Sequence, residues 1–102
     1  MSDFKEQEIA YRIARAQETL SDAKSLIALK GWNSAANRLY YAAYYMVVAL
    51  MVQEGIKITS HDGAKQMLGL HFIKTGKLDV RYSKIYGHLF NTRQSGDYGN
   101  FV

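Results

Sequence analysis

A chain of 102 residues with 48% hydrophobic and 22% charged side chains has the length of one domain with one core, and its composition is not that of a disordered segment. It contains no cysteine, which excludes disulfides and thiolate metal or redox chemistry; its opening residues lack the apolar core of a signal peptide. The longest uncharged apolar run, 39–52, is shorter than the ~20 residues that span a bilayer, so the expectation is a single cytoplasmic domain over 1–102 with no membrane association.

The net charge of +4 is unevenly placed. Residues 1–54 carry six Lys/Arg and six Asp/Glu, whereas residues 55–102 carry seven against three. A basic second half suits a polyanionic partner such as a nucleotide or RNA, although a solvated basic face gives the same count.

There is no proline, and Gly31, Gly55, Gly76 and Gly96 each follow a stretch of helical periodicity, as C-terminal caps do. The first helix, about 3–30, presents Ile9, Ile13, Ala16, Leu20, Ala23 and Ile27 as one seam. The second, about 33–54, is apolar nearly all round and is expected at the centre of the core. The third begins at "ITSHDGAKQ", where Thr59 or Ser60 can cap and Asp62 favours the N-terminus; Ala64, Met67, Leu68, His71 and Phe72 form its inward face. The fourth, about 79–95, places Tyr82, Ile85, Tyr86, Leu89, Phe90 and Arg93 on one side and Arg81, Lys84 and His88 on another. Short connections between helices predict an all-α fold, an antiparallel up-and-down four-helix bundle.

Arg38 is the one charge in "SAANRLYYAAYYMVVALMV". On a helix it shares a face with Tyr41, Tyr45 and Val48. Two readings follow. Arg38 is either a buried clamp needing a carboxylate, from Glu18, Asp22 or Asp97, or a contact to a ligand or partner. Arg81, Lys84 and His88 form a basic stripe that can hold phosphates, with His88 able to move a proton near neutrality. Arg93, inward-facing at a helix end, either pairs with Asp97 or receives an anion. His61, His71 and His88 lack metal-ligand spacing, and no phosphate-cradling glycine loop is present, so neither a metal nor a cofactor is expected.

Three segments, "SAANRLYYAAYYMVVALM", "ITSHDGAKQMLGLHFIKTGKL" and "LFNTRQSGDYGNF", occur in an order that resembles the small prokaryotic HEPN domains. The branch resembled is marked by Arg-x-Tyr-Tyr-Ala, His-x-Gly and Arg-Gln-x-x-Asp-Tyr. These motifs fall on Arg38, Tyr40, Tyr41 and Ala42, on His61 and Gly63, and on Arg93, Gln94, Asp97 and Tyr98. The resemblance implies a helical bundle that usually forms a homodimer and is often paired with a minimal nucleotidyltransferase in a toxin–antitoxin-like system. It also implies a ligand site, for a nucleotide or RNA phosphate, built from Arg38, Tyr41, His61, Arg93, Gln94, Asp97 and Tyr98.

Many such relatives are metal-independent endoribonucleases with an arginine followed four to six residues later by histidine. Here Tyr98 falls where that histidine would, so the expectation is a binding module, with a ribonuclease using Arg93 and His88 as the alternative. The family commonly continues into a further C-terminal helix. A domain lacking that helix would leave an apolar groove for a dimer or another chain to cover.

Overall fold

Helix α1 (Ser2–Ala28) and α2 (Trp32–Glu54) form a long hairpin. A short connection leads to α3 (His61–Leu68), which widens into a π-helical turn (Gly69–Ile73) before α4 (Val80–Ser95). The structure is a computed structural model. It describes the backbone of residues 2–95 and the side chains of 4–92, and among these there is no strand. The fold is all-α, as the periodicity requires.

The hairpin is built on small residues. Ala16 and Ala23 on α1, and Ala35, Ala42 and Ala49 on α2, are all buried, and each set repeats every seven residues. A heptad of alanines keeps one narrow seam facing the partner helix and lets the two backbones approach closely. Thr19 is buried on the same helix, while Leu20 and Ile27, expected on the seam, remain 39% and 40% exposed. The larger side chains of α1 therefore flank its contact with α2 instead of forming it.

Both helices of the hairpin end with the same hydrogen-bond pattern. Gly31 N–H donates to the Leu26 carbonyl and Lys30 N–H to Ile27; Ile56 N–H donates to the Met51 carbonyl and Gly55 N–H to Val52. This pattern needs a left-handed residue at the turn. Gly55 takes it at φ 70°, but after α1 the residue is Lys30, at φ 61°, and not the expected Gly31, which lies at φ −83° and begins α2.

The second half folds over α2. Tyr40, Val47 and Met51 from α2, Ala64 and Leu68 from α3, Phe72 from the π turn, and Tyr86 and Phe90 from α4 form one buried cluster. α4 runs antiparallel to α2: Leu78 and Tyr82 lie beside Leu50, and Phe90 reaches Tyr40. The aspartate preceding α4, Asp79, accepts a hydrogen bond from Arg81 N–H at 2.9 Å and so caps that helix. Tyr82 and Ile85, expected to face inward, are 48% and 54% exposed, because α4 presents Tyr86 and Phe90 to the core.

Candidate functional site at the start of the third helix

Ser60 stops the connecting segment and starts α3. Its hydroxyl accepts a hydrogen bond from Gly63 N–H at 2.9 Å, a side-chain cap on an otherwise unmet helix donor. A Cβ at Gly63 would lie 3.0 Å from that same hydroxyl, so the glycine of His-x-Gly leaves room for the cap that fixes the histidine. His61, the first residue of α3, is thereby held at a defined place against α2.

There His61 meets three tyrosines. The Tyr40 hydroxyl and His61 Nδ1 are 2.7 Å apart, a hydrogen bond whose donor follows the imidazole tautomer. Tyr44 lies against the imidazole with ring centroids 4.3 Å apart, and Tyr41 meets it edge to face at 5.9 Å. Tyr40 is fully buried and stacks on Tyr86 at 5.8 Å, with the edge of Phe90 at 6.1 Å. A buried phenol needs a partner for its hydroxyl, and His61 supplies one while its own ring is oriented. Two of the three sequence motifs, Arg-x-Tyr-Tyr-Ala and His-x-Gly, are thus joined by one hydrogen bond.

Arg38 is not a buried clamp. It is exposed, and with Asn33, Ser34 and Asn37 it lines a polar hollow of about 240 Å³ at the beginning of α2. Of the carboxylates expected to pair with it, Glu18 is engaged by Arg15, and among the described residues no ion pair reaches Arg38. The reason is its height on the helix. Among the described side chains, those of α3 and α4 meet α2 at Tyr40 and beyond, and Arg38 precedes them. The neighbouring face is held by Arg15 instead: its guanidinium lies over the Tyr45 ring at 5.2 Å, and its hydrogen bond to Tyr45, then the one it donates to the Glu18 carboxylate, hold it still more firmly in its charged form.

Of the other expected site residues, Tyr41 is half-buried beside His61. Arg81, Lys84 and His88 are all exposed along α4, with Arg81 3.7 Å from Asp79. The last turn of α4 carries Arg93 and Gln94 and continues from Phe90 toward the N-terminal end of α2. The side chains of Arg93 and Gln94, and all of Asp97 and Tyr98, lie outside the described residues. Tyr44 and Tyr86 were not among the expected site residues. The signal for Tyr44 was present, since Tyr40 and Tyr44 are one turn apart on a single helix face. Among the described residues, no group of three or more His, Asp or Glu can hold a metal ion, and no helix is long and apolar enough to cross a membrane.

The HEPN domain family matches residues 9–102. The chain belongs to that family. Its similarity to known proteins extends along nearly the whole chain: it is 41% identical over 98 residues to a UPF0332 protein of Thermotoga maritima, covering 96% of this chain and 74% of that protein. Two Methanocaldococcus jannaschii proteins, named "Putative toxin MJ0142" and "Putative toxin MJ0605", are 32% and 34% identical over 92 residues, 90% of this chain and 63% and 69% of theirs. The chain therefore spans roughly two-thirds to three-quarters of the length of these relatives. No solved structure matches it.

Proposed function

We propose that this HEPN chain is a binding module of a toxin–antitoxin-like pair, a homodimer in the cytoplasm whose partner protein is of the nucleotidyltransferase type. Its ligand is the phosphate of a nucleotide or of RNA, taken up where the start of α2, the start of α3 and the end of α4 converge. The observation that carries this reading is the Tyr40–His61 hydrogen bond. It fixes a histidine among aromatic rings near the end of the bundle where Arg38 stands exposed in a polar hollow. A planar guanidinium in an open polar hollow is suited to phosphate, and the half-buried tyrosines around His61 are suited to a base. The toxin names of two relatives support a place in such a pair.

The test is incubation of the purified protein with RNA in EDTA, beside Arg93→Ala and His88→Ala variants, following both binding and cleavage. The expected result is salt-sensitive binding without cleavage in any of the three. Cleavage by the parent that is lost in Arg93→Ala would replace the binding module with a metal-independent endoribonuclease, and loss in His88→Ala would assign the proton transfer to His88.

A further inference from the structure

Toward the other end of α2 from Arg38, a second hollow of mixed character lies between α1, α2 and the segment that connects α2 to α3. It has a volume of about 300 Å³. Val48 and Met51, both buried, line it from α2, and Ile56 and Ile58 line it from the connecting segment. The charged lining is Glu8 and Arg12 from α1 together with Lys57. Apolar walls with a few convergent polar groups are the usual make-up of a small-ligand site, and this volume is at the lower end of their range.

The charges in this lining are incompletely matched. Arg12 and Lys57 bring two positive charges against the single negative charge of Glu8, a net +1. Among the described residues Lys57 makes no ion pair, and Arg12 meets Glu8 through one nitrogen at 3.4 Å. A close charge-assisted hydrogen bond is shorter, about 2.7–2.9 Å, and a guanidinium can offer a carboxylate two donors at once. Arg12 Nε is moreover buried, with no hydrogen-bond partner among the described residues. A buried donor left unmet is costly, so the guanidinium is placed to gain from a further acceptor.

We infer that this hollow binds a small organic carboxylate, a monoanion with an apolar body, its charge held between Arg12 and Lys57. At water's share of about 30 Å³, the volume admits a body of about ten non-hydrogen atoms. Val48, Met51, Ile56 and Ile58 receive that body, and Tyr44, which also lines the hollow, suits an aromatic one. Charge selects the carboxylate over a phosphate ester. One carboxylate neutralises a net +1, whereas a phosphate ester carries about −1.5 to −2 at neutral pH and would set the excess beside Glu8. The site is separate from the hollow at Arg38 and does not depend on the function proposed above.

Titration of the protein with hydrocinnamate, followed by NMR at the Val48 and Ile58 methyl groups, tests this. Hydrocinnamyl alcohol serves as the neutral analogue and phenyl phosphate as the phosphate ester. Hydrocinnamate is expected to shift those methyl resonances with a dissociation constant of about 1 mM or tighter. The alcohol and phenyl phosphate are expected to bind roughly tenfold more weakly, as is hydrocinnamate to Arg12→Gln. Glu8→Gln removes the opposing charge and is expected to tighten hydrocinnamate binding about threefold, a gain that a poorly folded variant would not give. No shift at these methyl groups at several times that concentration overturns the inference. Equal affinity for the acid and the alcohol, or an affinity that neither Arg12→Gln nor Glu8→Gln changes, overturns the role of the charged lining. Tighter binding of phenyl phosphate than of hydrocinnamate overturns the assignment to a carboxylate.

Discussion

The two sides of α2 are similarly apolar in sequence and differ in outcome. On one side Tyr40 and Met51 are closed over by α3, the π turn and α4, and a polar pair, Tyr40 with His61, sits within the packing. On the other, Leu39, Ala43, Met46 and Leu50 line open hollows between α1 and α4. Hydrophobicity alone does not distinguish the sides; the cover available to each does. The closed side derives specificity from one hydrogen bond that would be costly to leave unmade. The open side, uncharged, remains available for association.

The largest effect that would sharpen this contrast is Tyr40→Ala. Removing a fully buried ring packed among those of Tyr41, Tyr44, His61, Tyr86 and Phe90 is expected to cost about 3–5 kcal/mol in urea unfolding, whereas Met46→Ala, on the open side, is expected to cost well under half as much at concentrations where the chain is monomeric. Equal costs would mean the two sides are not different in kind.

Tyr40→Phe isolates the hydrogen bond from the ring. It is expected to cost about 1–2 kcal/mol, with the His61 imidazole resonances in NMR shifting as its partner is lost. A parent-like spectrum would contradict the contact. A smaller effect of opposite sign is expected at the turn between α1 and α2. There Lys30 occupies a left-handed position that Gly55 occupies at the next turn, so Lys30→Gly is expected to raise thermal stability by up to ~1 kcal/mol and Gly55→Ala to lower it by about as much. The smallest effect is at Arg38. Its truncation to alanine is expected to change stability by less than ~0.5 kcal/mol, because the side chain is exposed; a loss of several kcal/mol would restore the buried clamp.

Much of the fold could be read from the residues, and the reasons are local. Four helical periods, Gly55 at a C-terminus and Ser60 at an N-terminus each express chemistry within a few residues of chain, and the helices follow them closely. What could not be read was which of several apolar faces each helix would bury. Leu20 and Ile27 completed a plausible seam on α1, yet the alanine heptads took the contact, because close backbone approach favours the small side chain over the more hydrophobic one. Tyr82 and Ile85 were assigned inward for the same reason and lie outward.

The site was partly legible. The motifs pointed to His61 and Tyr41, which the fold brings together with Tyr40 and Tyr44. Arg38 looked buried because its neighbours in sequence are apolar. Its actual environment depends on how far along α2 the other helices reach, a tertiary fact with no trace in the spacing.

The most direct test of the account is the affinity of the parent and of Arg38→Ala for a single-stranded RNA oligonucleotide in EDTA, measured by fluorescence anisotropy from about 50 to 200 mM salt. The account predicts that the parent's binding weakens steeply with salt, and that Arg38→Ala, as stable as the parent, binds more weakly with a shallower salt dependence. Identical binding curves for the two proteins, or binding that salt does not weaken, would contradict a phosphate site at the exposed arginine.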